Sequence, residues 1–255
     1  MIIYVITHKD YKHIAKSNLY QTLLVGADQN KCNEDCLKDN DFEDNISYKN
    51  KSFCELTGLY WIWKRSKEDY IGICHYRRYF ATSGRFGRFH LLTYKKAFEI
   101  LKNNNIILPL RDQDLPKNAG TIKEDFAYFH DANVWEKCEK IISEKTPELL
   151  NDFIWFENQK KGFYYNMMIC KKELFDQYCE WLFPILFELE KQVDLSQYDN
   201  YNQRMFGFVA ERLLNVWVHH QNYKIKELPV YFVDKPLIEK ISNKLHSIFK
   251  RNRGE

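Results

Sequence analysis

The segment DYIGICHYRRYF, residues 69–80, is a short apolar run that breaks into a basic cluster, and its reading decides the fold class. A continuous run of this length is what a strand covered on both faces of a parallel sheet requires. Ile2–Thr7, which ends in polar His8-Lys9-Asp10, and Leu23-Leu24-Val25-Gly26-Ala27 have the same character. Working outward, residues 10–20 read as a short crossover helix. A helical pattern runs from Asn45–Ser47, either of which can cap it, to about Lys64. Helices are expected over 94–103, 123–145, Leu174–Lys191 and Asn202–His219, and strands over Ile106–Leu110, Gly162–Cys170 and Lys224–Val233. Alternating strands and helices predict an α/β fold, a mixed, mostly parallel central sheet flanked by helices. The expected layout is one domain over residues 1–235 and a basic amphipathic helix over 236–255.

Composition narrows the function classes. With 18 Phe, 17 Tyr and 6 Trp but only 9 Gly and 6 Pro in 255 residues, the chain can bury a large core, which excludes disorder and collagen-like classes. The formal net charge of +3 is uneven. Residues 235–255 hold six basic side chains and two acidic ones, a net +4, so the rest sums to −1. A balanced body argues against a nucleic-acid partner. The tail, with Leu237, Ile238, Ile241, Leu245, Ile248 and Phe249 on one helical face, suits either an anionic membrane surface or packing on the domain. The first ten residues lack a signal-peptide pattern, and no stretch approaches the roughly 18 apolar residues of a membrane span. Seven cysteines, odd in number and without a framework, suggest reduced thiols in a cytoplasm. Cys32 and Cys36 form the only close pair, with no second pair to complete a zinc site.

Ligands of open α/β sheets bind beyond the carboxyl ends of the strands. There the sequence places Thr7, His8 and Lys9, then Gly26, Ala27 and Asp28, then His75, Tyr76, Arg77 and Arg78. Hydroxyl, imidazole, ammonium and guanidinium groups gathered at one edge suit a phosphate-bearing ligand; the plainer alternative is that Arg77 and Arg78 are ordinary solvated charges. Asn45, Lys49 and Asn50, at a helix start, are secondary candidates for the same mouth. No Walker loop, GxGxxG or GxSxG occurs, which sets aside P-loop, dinucleotide-binding and nucleophile-elbow enzymes. Glycosyltransferases of the GT-A type place Asp-x-Asp after a buried strand to hold a divalent metal. Here His75 and Arg77 take those places, so cations could meet a diphosphate directly. Manganese or magnesium stays open through His75, Asp112/Asp114 or, less strongly, Asp39/Asp41.

YKNKSFCELTGLYWIWK (48–64) together with DYIGICHYRRYF resembles the bacterial capsular and exopolysaccharide biosynthesis family known as domain of unknown function 4422. The similarity continues through FYYNMMICKKELFDQYCEWLFPILFELE (163–190) and QRMFGFVAERLLNVW (203–217). The resemblance implies a GT-A-like glycosyltransferase of surface-polysaccharide assembly. A UDP-sugar is then the donor, galactofuranose being one candidate, and the acceptor is a lipid-linked or oligosaccharide chain. On that plan His75, Arg77 and Arg78 grip the diphosphate, with Thr7, His8 and Lys9 near the nucleoside. A base for the acceptor hydroxyl is needed as well. Glu211, in the apolar context GFVAERLL, is either that base or the partner of Arg204 or Arg212; Asp199 is the alternative. Asn166, His130, Arg204 and Trp155 are assigned to the acceptor side, Trp155 from an expected loop. The competing reading is a non-catalytic module that binds polysaccharide or RNA.

Overall fold

The computed structural model describes residues 1–15, 17–33, 35–83, 89–111 and 120–234. Strands β1 (Ile2–Thr7), β2 (Tyr20–Leu24) and β3 (Leu37–Lys38) open the chain. A 3-10 turn over Ser47–Lys49 leads into α1 (Asn50–Phe53) and α2 (Leu56–Arg65). Then come β4 (Tyr70–His75), β5 (Arg78–Ser83), β6 (Phe89–Leu91), α3 (Tyr94–Leu101) and β7 (Ile106–Pro109). Three helices follow: α4 (Ile122–Phe129), α5 (Ala132–Lys145) and α6 (Leu150–Glu157). The chain continues through β8 (Met168–Lys171), α7 (Lys172–Gln192), α8 (Met205–His220), β9 (Ile225–Leu228) and β10 (Val230–Phe232).

The main path of the sheet runs β3-β2-β1-β4-β8-β7-β9, with β5 turning back from β4 to pair with β6 and β10. Neighbours on that path are parallel except at β8, which is antiparallel to both β4 and β7. Side chains alternate between the two faces of each strand, and both faces are covered. Tyr4, Ile6, Ile71 and Ile73 face a large core built with α2, α7 and α8; Ile3, Val5, Cys74 and Ile169 face a smaller one with Leu19, Phe80, Leu92 and Ala97. Gly58 lets α2 sit directly on the sheet, because a Cβ there would lie 2.8 Å from Ile6 and from Val25. The predicted α/β class and mixed sheet are therefore present.

Register decides where the site lies. Thr7 pairs with Leu24 and Ile6 with His75, so the carboxyl ends of β1, β2 and β4 lie side by side. Antiparallel β8 places Met168 opposite Ile73, which brings the residues just before β8 to the same edge.

Several boundaries differ from the sequence reading. The described residues between β1 and β2 form no crossover helix. The helix expected from 45 to 64 breaks at Cys54, whose φ is +51°. The 123–145 helix breaks at His130-Asp131, where Asp131 caps α5. Only the end of Gly162–Cys170 is strand, since Tyr165 (φ +75°) and Asn166 (φ +48°) are both left-handed. Pro229 splits Lys224–Val233 into β9 and β10. Trp155 sits in α6 rather than in a loop. Asp112, Asp114 and the tail 236–255 lie outside the described residues. No helix among the described residues is long and apolar enough to cross a membrane.

Candidate functional site

Thr7 ties off β1. Its buried hydroxyl donates to the Lys9 carbonyl at 2.5 Å and accepts the Lys9 amide at 3.2 Å. That tight turn brings His8 and Lys9 to Tyr76: the His8 ring meets it edge-on at 5.5 Å, and the Lys9 ammonium lies 5.9 Å from its centroid. Arg77 covers the same ring at 4.9 Å and pairs with Asp234 at 2.8 Å. Arg78 lies 4.7 Å over Tyr165, and its buried Nε has no hydrogen-bond partner among the described residues. Arg204, just ahead of α8, acts on the same spot. Partial burial lowers the pKa of His8, and the charges of Lys9, Arg77 and Arg204 lower it further. Two strand ends and one helix start thus converge three cations, Lys9, Arg77 and Arg204, on one imidazole.

Tyr165 and Asn166 form the hub behind these cations. The Tyr165 carbonyl accepts His75 Nε2 at 2.6 Å, and the Tyr165 amide donates to Glu211 Oε1 at 2.9 Å. Asn166 is fully buried and donates through Nδ2 to Glu55 Oε1 at 2.7 Å and to the Gly207 carbonyl at 3.1 Å. A carbonyl can only accept, so His75 carries its proton on Nε2. Burial lowers the pKa of His75, while Glu55 and Arg78 act on it in opposite senses. Glu211 also accepts from Arg212 Nη1 at 3.1 Å, and Arg212 in turn reaches Asp125 at 3.3 Å. Burial pushes the Glu211 carboxyl up to about 7, against the Arg212 charge and with the help of Glu55. Arg204 donates to the Cys54 thiol at 3.3 Å, which joins the α1–α2 break to the start of α8.

Not every sequence candidate arrives here. Asn166, assigned to the acceptor side, is a fully buried holder of Glu55. Lys49 pairs with Glu190 of α7 at 2.6 Å, and Asn45 closes a local turn onto Phe42. Asn50 bonds the Cys54 carbonyl and Thr57 and lies under Gly26. Exposed Asp199 accepts the Asn202 amide at 2.8 Å as a turn cap. His130 bonds Asn202 and stacks on Phe208 at 4.4 Å; burial drives its pKa down to about 4, so the ring is neutral. Because Arg204 lies 5.4 Å over Phe208, His130 borders the cation cluster. Trp155 stacks on His219 at 3.5 Å, at the far end of α8 and about 22 Å along the axis from Arg204.

The Asp-x-Asp pair Asp39/Asp41 is structural. Asp39 accepts from the Gly26 and Ala27 amides and from Ser47 and Thr57 hydroxyls at 2.5–3.0 Å; Asp41 accepts the Trp61 indole. No three His, Cys, Asp or Glu side chains among the described residues converge on a metal position. Among the described residues, the edge presents cations and a His75 whose Nε2 is committed to a carbonyl, beside the carboxylates Glu55 and Glu211.

Residues 2–222 match the family model described as domain of unknown function DUF4422. The chain belongs to the DUF4422 family. Among solved structures, this DUF4422 chain is similar to the apo structure of the WbbM bifunctional glycosyltransferase, with 27% identity and a TM-score of 0.80. The match covers 92% of the chain and 45% of the WbbM chain, so the DUF4422 protein spans less than half the length of that relative. The α/β architecture is thus GT-A-like. No curated protein matches the chain.

Sequence reasoning missed Glu55, Tyr165 and Cys54. A signal for Glu55 was present: it is the only charge between Lys51 and Lys64 in SFCELTGLYWIW. Nothing local marks Tyr165, whose role is carried by its backbone.

Proposed function

We propose that this protein is a glycosyltransferase that takes a sugar, galactofuranose being the first to test, from a UDP donor to a growing surface-polysaccharide acceptor. The observation that carries the reading is the gathering of Lys9, Arg77, Arg78 and Arg204 beside two carboxylates, Glu55 and Glu211, at the carboxyl edge of β1 and β4. Guanidinium and ammonium groups suit a diphosphate leaving group, since positive charge fixed at that point stabilises the negative charge that develops there. The likeness to the WbbM glycosyltransferase supports the same reading. His130, Arg204 and the neighbouring Tyr201 form the side from which an acceptor sugar would approach. The positive charge comes from side chains, so binding is expected without manganese.

Titration of the full chain against a panel of UDP-sugars, with manganese and with chelator, tests this. At least one UDP-sugar is expected to bind equally in both conditions. Arg77→Ala is expected to weaken binding by about 10- to 100-fold, the loss of a charge-assisted contact. Undiminished affinity in that variant would remove the assignment of the grip.

A further inference from the structure

Glu55 is the carboxylate that the sequence did not single out, and its surroundings differ from those of Glu211 in ways that matter for proton transfer. Glu211 is fixed at both oxygens: Oε1 takes the Tyr165 amide at 2.9 Å and Oε2 takes Arg212 at 3.1 Å. Its side chain is only 15% exposed. Glu55 is half-buried, and the one side-chain hydrogen bond it makes among the described residues is from Asn166 Nδ2 to Oε1 at 2.7 Å. Among the described residues, no hydrogen bond or ion pair reaches Oε2. The residue occupies the break between α1 and α2, directly after left-handed Cys54, and the amino end of α2 favours negative charge there.

The support behind Glu55 is unusually constrained. Asn166 is fully buried and left-handed, a conformation that Asn adopts more readily than most residues. Its amide spans Glu55 and the Gly207 carbonyl, so one side chain ties the α1–α2 break to α8. The preceding residue, Tyr165, holds Glu211 by its amide and His75 through its carbonyl. Two consecutive left-handed residues therefore fix both carboxylates and the end of β4. Cys54, next to Glu55, is bonded by Arg204, which belongs to the cation cluster around His8.

We infer that Glu55, positioned by Asn166, is the general base that takes the proton of the acceptor hydroxyl, and that Glu211 holds the loop rather than moving the proton. This rests on the glycosyltransferase reading above. In the step, the acceptor oxygen bonds the anomeric carbon while the bond from that carbon to the phosphate oxygen breaks. The electron pair of the broken bond leaves with UDP, whose charge the cation cluster meets, and the hydroxyl proton passes to Glu55 Oε2 and later to solvent. Asn166 touches no substrate and acts as a positioning residue.

Glu55→Gln, nearly isosteric and at a half-buried position, is the variant to make, with Glu55→Asp as the shorter carboxylate. UDP affinity, measured by calorimetry, reports the donor side, and UDP release from the UDP-sugar that binds best reports turnover. Glu55→Gln is expected to keep UDP affinity within about twofold and to lose about 10²- to 10⁴-fold in kcat, with partial activity in Glu55→Asp. Asn166→Ala is expected to lower kcat in the wild-type background and to add nothing in the Glu55→Gln background, a non-additivity that a purely structural role does not give. Wild-type turnover in Glu55→Gln with intact UDP binding would overturn this assignment alone. Failure of the wild-type chain to bind UDP would overturn the glycosyltransferase reading, and this assignment with it.

Discussion

Glu211 is where burial and charge conflict most openly, and the conflict is pH-dependent. Its carboxyl is pushed from 4.5 up to about 7 by burial, with Glu55 raising it and Arg212, the Tyr165 amide and Arg78 lowering it. Between pH 4.5 and 7 the folded protein keeps a proton that the unfolded chain has released, so rising pH costs stability across that window. The cost is absent below about 4.5 and complete above about 7, and amounts to roughly 3 kcal/mol. Glu211→Gln cannot ionise, so its stability relative to wild type is expected to improve by up to about 3 kcal/mol from pH 4.5 to 8. Denaturant unfolding of both proteins over a pH series measures this, and a flat difference would refute it. Taking the difference matters because His130 acts the other way. Its pKa falls from 6.5 to about 4 on burial, so its neutral ring loses stability as pH drops through that range.

At the scale of elements, the loop after β2 shows how one position holds several segments. Gly26 has φ +61°, and a Cβ there would come within 2.6 Å of Asn50 Oδ1 and 2.7 Å of Asn30 Nδ2. Its amide is fixed by Asp39, which also binds Ser47 and Thr57 from the segment leading through α1 to α2. Gly26→Ala is therefore expected to destabilise the fold by about 1–3 kcal/mol, through the left-handed penalty and displacement of Asn50. Thermal unfolding checks it, and an unchanged midpoint would mean the loop carries no such constraint. The same elements mark what the sequence could reveal. β1 and β4 are legible because continuous apolar runs are the direct signature of strands covered on both faces. The break at Cys54 is not, since neither Gly nor Pro marks it and its partner, Arg204, lies 150 residues away. GFYYNMMIC looks like a strand by composition, yet Tyr165 and Asn166 leave strand geometry to serve His75, Glu211 and Glu55. The cationic half of the site could be read from residues at strand ends. The carboxylate half depends on tertiary pairing that no spacing encodes.

For the molecule as a whole, charge balance and charge placement are separate matters. The chain carries 38 basic and 35 acidic side chains, close to neutral, while the fold gathers Lys9, Arg77, Arg78 and Arg204 at one edge. Such a gathering repels itself, and on the proposed function a bound diphosphate relieves the repulsion only in the folded state. If UDP binds there as proposed, linkage makes it a stabiliser: at a hundred times its dissociation constant the gain is about 2.7 kcal/mol, and the melting temperature rises by several degrees. Arg77 is about half exposed, so part of the attraction is open to screening ions. The UDP-induced rise is accordingly expected to shrink as salt goes from 50 to 500 mM while the unliganded melting temperature changes little. It is also expected to be the same in manganese and in chelator, because the cations are fixed side chains. Thermal shift assays across salt, metal and chelator read these outcomes together. A rise that appears only with manganese would show that a metal ion, rather than the guanidinium cluster, holds the diphosphate.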